Sequence, residues 1–537
     1  MTKMKKNMKN KFTEKINDIK TSYLIFSLIA IVTVGFIIRL YYLPHGVPIV
    51  GDGLDYFSYA YQMAQTGNFP KDWALSNNGW PSFLSLFLSI IDADTFYENI
   101  SIQRILSISI SVLTTVPLFF LCNRFFNRTF SLIGVSIFIF EPRIILNSTM
   151  GVIEPLYILV LVLILYFFLK NDNKTIYLSF ILAGIFAILR WEGILLIFGI
   201  IGLFLIKNRH ERKNLLKLFL GIFLFLMIVM SMSYVNIVNT GTDGLITPFL
   251  TYGPGYIKDY QDDEFLTNTD SENILVYLIT NGLENTLKFS GWALIPSFII
   301  FLPISFVLII KNNIFTKWNS QKTTILVFSI ILLLPAIYAF TRNFNDIRYL
   351  YILFPIFSMI SLVFISKIFD KNSQKQLISL LIIIGIITIS IIFLQQQLVN
   401  DYELEEERYE ISKFIVKNTD GVNLSSFTQY LKAAELENDW PTIPEPDDSG
   451  HLSLTTKKFT FDESSTLIEF IEENKENGLT HIIAEDMDDR KLFLDVYNNP
   501  EKYAFLEKIY DGAENGLLSK VKIFKINYQY FSDKILN

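Results

Sequence analysis

The sequence of 537 residues is poor in the residues that enzymes use for nucleophilic and metal chemistry. It contains one cysteine, Cys122, and four histidines. A single cysteine cannot form an intrachain disulfide, so any domain outside a membrane must be held by its own core. The same scarcity argues against a zinc site, whose ligands are normally cysteine and histidine. A bound cation would therefore be a hard one, held by carboxylates.

Other absences narrow the classes of function. No Gly-rich phosphate loop follows a strand pattern, and no Ser-His-Asp arrangement stands out. No basic surface interleaved with aromatic residues indicates nucleic-acid binding, and charged residues make up only 18% of the chain. Soluble nucleotide chemistry and nucleic-acid partners are therefore not expected.

Apolar sequence, in contrast, is abundant. Apolar residues make up 51% of the chain, 48 residues are phenylalanine, and the mean hydropathy is +0.37. Repeated apolar blocks indicate helices rather than barrel strands, which would alternate apolar and polar residues. With roughly 20 residues needed per span, the pattern predicts a polytopic α-helical membrane protein with about 11 transmembrane helices.

The first predicted span covers residues 23–43, and we interpret it as uncleaved because no small-residue cleavage site follows it. The other predicted spans are residues 101–122, 129–146, 152–169, 175–190, 193–206, 214–235, 291–310, 323–340, 347–366 and 376–395. Residues 1–20 are rich in lysine, so the positive-inside rule predicts a cytoplasmic N-terminus in a multi-pass protein of the cell membrane. Residues 44–100 then form a first outer loop, and residues 236–290 form a second long outer loop.

The composition changes near residue 398. Residues 21–397 form the predicted membrane domain, whereas residues 398–537 are polar and strongly acidic. Strand patterns at 480–484, 505–510 and 520–527, with a helical pattern at 490–497, predict a small soluble α/β domain. An odd number of spans would make this domain extracytoplasmic.

Carboxylates lie at the predicted outer boundary of the membrane, where ionisable groups are costly and are usually retained for function. Asp52 and Asp55 open the first outer loop, and their spacing puts them on one face of a helical turn. With Glu154 as a third acid, they can supply a general base or hold Mg²⁺ or Mn²⁺. The alternative is that the two aspartates and Glu154 only favour helix N-termini.

Three arginines lie at the same predicted level. Arg190, Arg342 and Arg348 are candidates for binding the phosphate of a lipid-linked donor, because guanidinium groups match phosphate oxygens. The alternative is that they pair with Glu192 or Asp346, or extend to lipid headgroups. Glu192 is itself a candidate binding residue beside Arg190.

Three aromatic residues complete the candidate site. Tyr56, Trp80 and Tyr349 are candidates for stacking on sugar rings. Aromatic residues at a membrane interface also serve simply as anchors, and this alternative stays open.

These polar segments resemble the GT-C superfamily of membrane glycosyltransferases, which use polyprenyl-phosphate-linked sugars. Asp52, Tyr56 and Ala60 match the Asp, Tyr and Ala spacing of the family's first outer loop, and residues 80–84 match the Pro-containing piece that follows. The most similar branches are the protein mannosyltransferases, the lipid A aminoarabinose transferases and the oligosaccharyltransferases. The resemblance implies that Asp52, rather than Asp55, is the catalytic base.

Later segments extend the resemblance. Glu154 matches a Glu at the outer start of the fourth span, and Arg190 matches an Arg near the outer end of a later span. Arg348 and Tyr349 resemble the late Arg-Tyr segment that contacts the lipid phosphate. Two features depart from the family: the tail has no Trp-Trp-Asp motif, and the paired Asp-Glu is here Asp52-Gly53.

The resemblance implies a glycosyltransferase of the hexosyltransferase class. It would move a sugar from a polyprenyl-phosphate donor to a glycan, lipid or protein acceptor at the outer membrane face. The alternatives are a transporter or flippase for a lipid-linked saccharide, and a glycan polymerase. A transporter would predict polar residues near the bilayer midplane and repeat symmetry, and the sequence shows neither.

Overall fold

The computed structural model describes residues 20–73, 75, 78–91, 93–170, 172, 174–208, 212–248, 271–311, 320–342, 344–369, 375–398, 402–447, 450–461, 466–486 and 490–534. The predicted cytoplasmic segment before residue 20 and the middle of the second outer loop, residues 249–270, lie outside the described residues.

The described residues up to 398 are mostly helical, because long apolar runs satisfy their backbone hydrogen bonds only within themselves. In chain order they are α1 (Thr21–Tyr41), α2 (Asp52–Thr66), α3 (Gly79–Leu88), α4 (Phe96–Leu113), α5 (Thr115–Cys122), α6 (Arg128–Ile139), α7 (Pro142–Thr149), α8 (Glu154–Lys170), α9 (Thr175–Leu189), α10 (Leu195–Asn208), α11 (Arg212–Thr240), α12 (Ser271–Leu294), α13 (Phe301–Lys311), α14 (Ser320–Thr341), α15 (Phe354–Phe369) and α16 (Lys375–Phe393). Short 3₁₀ helices, Trp191–Ile194 and Ile347–Leu353, precede α10 and α15.

Among the described residues, six helical segments are long and apolar enough to cross a membrane, and a seventh results if α6 and α7 are counted as one span bent by 53°. The chain is thus a multi-pass membrane protein, but the predicted count of about 11 spans is not confirmed. The remaining predicted spans, 152–169, 175–190, 193–206 and 291–310, correspond to helices of 17, 15, 14 and 11 residues.

The first outer loop folds into two helices, α2 and α3, that pack against each other. Helix α2 begins after Gly51, whose φ of 57° is a conformation that glycine adopts without strain. Gly79 opens α3 against the backbone of α9, where an added Cβ would lie 2.7 Å from the carbonyl oxygen of Ile188. This close contact fixes the loop against the membrane helices.

Residues after 402 form the predicted α/β domain. Its elements are α17 (Tyr402–Asn418), β1 (Gly421–Asn423), α18 (Leu431–Asn438), β2 (Lys457–Phe459), α19 (Leu467–Lys475), β3 (His481–Glu485), α20 (Lys491–Asn498), β4 (Leu506–Asp511), β5 (Val521–Ile526) and α21 (Tyr528–Lys534). The sheet order is β2-β1-β3-β5-β4. Strand β1 pairs in parallel with β2 and with β3, and β5 pairs antiparallel with β3 and with β4. The three strands and the helix predicted from the sequence correspond to β3, β4, β5 and α20.

The C-terminal domain docks on the first outer loop through Trp440. The Trp440 ring lies 4.4 Å from the ring of Tyr61 and 5.6 Å from that of Phe96, and it stacks on Phe57 at 6.0 Å between ring centroids. Its Nε1 donates a hydrogen bond of 2.9 Å to the backbone oxygen of Asp94. Helix α2 therefore shares a hydrophobic core with the C-terminal domain.

We expect Trp440→Ala to destabilise this docking by about 2 kcal/mol, because it removes aromatic contacts from a partly buried site. A lower melting temperature of the full chain and faster proteolysis between the two domains would both report the loss. Trp292→Ala is the matched control, since the Trp292 side chain on α12 is 57% exposed. Equal effects of the two substitutions would contradict the role of Trp440 in docking the C-terminal domain.

One histidine of the sheet is held neutral by its surroundings. His481 begins β3, is buried, and pairs in register with Lys525 of β5. Burial, with the Lys525 charge as a second cause, lowers the pKa of His481 from its ordinary value of 6.5 to about 4. The unfolded chain therefore binds a proton between these pH values that the folded domain does not.

The C-terminal domain should accordingly have its full free energy of unfolding above pH 6.5. This free energy should fall as the pH drops from 6.5 towards 4. Melting temperatures at pH 7.5 and pH 5 should differ less for His481→Gln than for the unchanged chain. The exposed His45 provides a control, because His45→Gln should leave the difference unaltered. An unaltered difference in His481→Gln would refute this prediction.

Candidate functional site

A polar cavity of about 200 Å³ lies where the first outer loop, the later membrane helices and the C-terminal domain meet. Its charged and titratable lining consists of Asp52, Glu154, Arg190, Asp346, Arg348 and His451, and its aromatic lining includes Tyr56 and Tyr349. Most of the residues predicted to form a site thus come together, although their positions run from 52 to 349.

Asp52 stands at the first turn of α2 and borders this cavity. One of its carboxylate oxygens, Oδ2, lies 3.3 Å from Nη2 of Arg348. The Asp52 side chain is 61% exposed, so it stays accessible to a ligand despite this ion pair. An accessible carboxylate is one of the side chains that can serve as a general base.

Arg348 is held in place by Asp346 as well as by Asp52. Asp346 caps the 3₁₀ helix Ile347–Leu353, accepting a hydrogen bond of 2.8 Å from the backbone N–H of Arg348. Its second oxygen accepts one of 2.6 Å from Nε of the same arginine. The guanidinium group therefore lies between two carboxylates, with its orientation determined by the helix cap.

Arg190 occupies the break between α9 and the next 3₁₀ helix, where its backbone is extended. Its guanidinium lies 3.4 Å from Glu154 and 3.3 Å from Glu192, and over the ring of Tyr349 at 4.7 Å. The Oε2 atoms of Glu154 and Glu192 are buried and have no hydrogen-bond partner among the residues that the structure describes. These oxygens can still accept hydrogen bonds from a ligand, since buried polar atoms favour being bonded.

Asp55 has a different environment from Asp52, although both lie on α2. Its carboxylate is nearly buried and accepts a hydrogen bond of 3.3 Å from the backbone N–H of Leu452. Its Oδ2 lies 3.2 Å from Nδ1 of His451. Asp55 therefore joins the first outer loop to the C-terminal domain.

The glycine between these aspartates leaves no room for a side chain. A Cβ on Gly53 would lie 3.0 Å from the backbone oxygen of Met150 and 2.5 Å from a methyl group of Ile49. The carboxylate that the GT-C family usually carries at this position would not fit here. Position 53 thus contributes close packing rather than chemistry.

The three carboxylates proposed as cation ligands do not form a ligand set. Asp52 pairs with Arg348, Glu154 with Arg190, and Asp55 with His451 and Leu452. Within the described ranges, no group of three His, Cys, Asp or Glu side chains is arranged to hold a metal ion. These residues therefore do not fit a shared cation, and we derive no catalytic step through one.

Two predicted binding residues lie away from the cavity. Trp80 is fully buried, with its Nε1 donating a hydrogen bond of 3.1 Å to the backbone oxygen of Gly151, so neither ring face is open to a sugar. The guanidinium of Arg342 lies over the ring of Tyr338, 5.7 Å from its centroid, and does not line the cavity. The sequence places all four residues near the predicted outer boundary of the membrane. That position alone did not separate Trp80 and Arg342 from Arg190 and Arg348.

His451 was not predicted. It lies in the connection between α18 and β2, 396 positions from the aspartate that it contacts. Only the docking of the C-terminal domain brings it into the cavity. A lone histidine in a polar segment carries no pattern by which its sequence position would indicate this role.

A second cavity, of about 330 Å³, shares Asp52 and Arg348 with the first. Its other walls include Arg104 of α4 and Tyr402 and Glu405 of α17. Asp52 therefore borders two cavities, one towards Arg190 and one towards the C-terminal domain.

An open groove of about 720 Å³ adjoins the first cavity and shares Phe344 and Asp346 with it. Phe289 and Trp292 of α12 form its apolar wall. The polar cavity is thus next to an apolar surface that faces outward.

No protein-family model matches the sequence, and no curated protein matches it. The fold, in contrast, is similar to solved membrane proteins. The archaeal oligosaccharyltransferase AglB from Archaeoglobus fulgidus, in complex with an inhibitory peptide and a dolichol-phosphate, aligns with a TM-score of 0.54 at 12% identity over 95% of this chain and 75% of that chain. An oligosaccharyltransferase from the same organism, in complex with Zn and sulfate, aligns with a TM-score of 0.54 at 11% identity over 90% of this chain and 72% of that chain.

ArnT from Cupriavidus metallidurans, bound to undecaprenyl phosphate, aligns with a TM-score of 0.52 at 8% identity, over 94% of this chain and 98% of that chain. These proteins are membrane glycosyltransferases of the GT-C superfamily. The resemblance inferred from the motifs is therefore confirmed at the level of the fold.

We expect Arg190→Met to destabilise the protein by about 3–5 kcal/mol, because it leaves two buried carboxylates without their cation. Thermal unfolding in detergent measures the loss. Adding Glu154→Gln and Glu192→Gln to the same variant should restore part of the stability, since it removes the uncompensated charges. If the Arg190→Met variant melts at the same temperature as the unchanged chain, the ion pairs of Arg190 with Glu154 and Glu192 do not stabilise the protein.

Proposed function

We propose that the protein is a glycosyltransferase that moves one sugar from a polyprenyl-phosphate donor to a hydroxyl or amine of a glycan, lipid or protein acceptor. The reaction takes place at the extracytoplasmic face, with the N-terminus in the cytoplasm and residues 398–537 outside. Asp52 is the general base. The single observation that carries the proposal is the position of Asp52, accessible and paired with Arg348 between two cavities.

The two cavities offer separate places for the two substrates. The cavity that contains Arg190 suits the donor, because its guanidinium groups can stabilise a phosphate. The adjoining apolar groove beside Phe289 and Trp292 suits the polyprenyl chain. The second cavity, beside Arg104 and Tyr402, suits the acceptor. Asp52 would then lie between donor and acceptor.

The known ligands of the structural neighbours support this class of donor. One archaeal oligosaccharyltransferase binds a dolichol-phosphate, and ArnT binds undecaprenyl phosphate. Both ligands are long polyprenyl chains with one phosphate. We infer the same kind of donor for this chain, and the acceptor remains a glycan, a lipid or a protein.

In the proposed step, the acceptor oxygen or nitrogen forms a bond to the anomeric carbon of the sugar. The bond between this carbon and the phosphate oxygen breaks, and its electron pair stays on the phosphate. The acceptor proton moves to Asp52 and from there to solvent. The products are the glycosylated acceptor, with inverted anomeric configuration, and the free polyprenyl phosphate.

Charge develops on the leaving phosphate during this step, so cations placed beforehand lower the barrier. Arg348 and Arg190 provide them, and their orientations are held by Asp346 and by Glu154 with Glu192. Electrostatic groups that need no rearrangement during the reaction are the most effective. The carboxylates around the arginines thus serve catalysis by positioning.

Replacing the base tests the proposal. Asp52→Asn keeps the shape of the side chain but cannot accept the proton, so transfer should fall about 100-fold or more. The assay uses the purified full chain with radiolabelled polyprenyl-phosphate sugars, membrane lipid and glycan extracts as acceptors, and parallel reactions with a chelator. Donor binding should persist in the variant.

Asp94→Asn is the matched control, because Asp94 is an exposed aspartate of the same outer loop that lines neither cavity. Full transfer by Asp52→Asn would disprove the assignment of the base. If the unchanged chain transfers no sugar from any donor but moves a lipid-linked sugar across vesicles, the protein is a transporter instead.

A further inference from the structure

The C-terminal domain inserts one side chain, His451, into the cavity of Asp52. The loop that carries it is held by the Asp55 carboxylate, which contacts both Nδ1 of His451 and the backbone N–H of Leu452. Within the loop, Asp447 accepts a hydrogen bond of 3.1 Å from the His451 backbone and donates one of 2.8 Å to it. The imidazole is therefore positioned before any ligand binds.

The contact with Asp55 determines which ring nitrogen is free. With Nδ1 donating to the Asp55 carboxylate oxygen, the lone pair of the imidazole lies on Nε2. No hydrogen bond joins Nε2 to another residue in the described part of the chain, and the side chain is 49% exposed. His451 thus offers a hydrogen-bond acceptor to the cavity.

The other residues of the cavity indicate which part of a ligand would lie beside Nε2 of His451. Arg190 and Arg348 supply the positive charge that a donor phosphate needs, and Asp52, Glu154 and Asp346 are carboxylates. A sugar joined to a phosphate at the arginines would extend into the remaining part of this cavity, which His451 lines. Its hydroxyl groups are then the donors within reach of the imidazole.

We propose that His451 accepts a hydrogen bond from one hydroxyl of the transferred sugar and thereby determines which sugar the enzyme uses. This inference rests on the proposed glycosyltransferase function. Asp55 is the positioning residue, because it holds the ring and its tautomer without contacting the sugar. Selection of the donor is then carried by the C-terminal domain rather than by the membrane helices.

The discrimination follows from the geometry of a directed hydrogen bond. A site built to bond a substrate hydroxyl rejects an analogue in which that hydroxyl is missing or inverted, because a polar group is then left unpaired. Losing one such hydrogen bond should lower the rate of transfer roughly 10-fold for each donor sugar that forms it. Donors that do not form it should be unaffected.

The test compares donors that differ at single carbons. Purified full-length protein is given undecaprenyl-phosphate-linked glucose, mannose and galactose separately, and transfer rates are measured for four variants. These are His451→Phe, His451→Gln, Asp55→Asn and the exposed control His45→Gln. The phenyl ring keeps the size of the imidazole without a polar atom, whereas the glutamine amide can still accept a hydrogen bond.

We expect His451→Phe to lower transfer from the best donor roughly 10-fold and to reduce its preference over the other two by a similar factor. His451→Gln should retain part of the preference, Asp55→Asn should weaken it, and His45→Gln should change nothing. An equal loss with all three donors, or no loss with any, overturns the role of His451 while leaving the glycosyltransferase function intact. If the unchanged chain uses no donor, the proposed function fails, and this inference fails with it.

Discussion

The arrangement of the site depends on the pairing of two arginines with carboxylates, at the place where the apolar helices meet the first outer loop. A buried charge without a partner is costly, so Arg190 and Arg348 each bind two acids. These acids come from segments far apart in the chain, and the ion pairs therefore tie the first outer loop to the later helices. The same pairs leave Asp52 accessible, because only one of its oxygens contacts Arg348. The ion pairs of Arg190 and Arg348 thus hold the segments together and also keep Asp52 available to a ligand.

The C-terminal domain is part of this site rather than an appendage. Trp440 packs against helix α2, and Asp55 on the same helix binds the loop that carries His451. One helix of 15 residues consequently presents Asp52 to the membrane domain and Asp55 to the C-terminal domain. The docking closes one side of the first cavity and contributes Tyr402 and Glu405 to the second.

Much of the site could be predicted from the sequence, because charged residues beside apolar runs are conspicuous. Asp52, Glu154, Arg190, Glu192 and Arg348 were predicted from such positions, and the structure brings them into two neighbouring ion-pair groups, one around Arg190 and one around Arg348. Arg342 met the same criterion, and Trp80 was predicted as an aromatic residue of the first outer loop, but both lie away from the cavity, since position along the chain does not determine the direction of a side chain. The predicted count of about 11 spans is not confirmed, because some of the predicted spans correspond to helices of only 14 or 15 residues.

The sequence by itself determined the class of the molecule: its apolar blocks require helices in a membrane, and its polar tail with alternating patterns forms an α/β sheet domain. The spacing of Asp52, Tyr56 and Ala60 also indicated the GT-C resemblance. Only the tertiary structure decided that Asp55 binds His451, that Gly53 excludes a second acid, and that Asp52 borders two cavities. These features depend on distances between segments hundreds of residues apart. Local patterns determine helices and strands, whereas such distances arise only when the segments pack together.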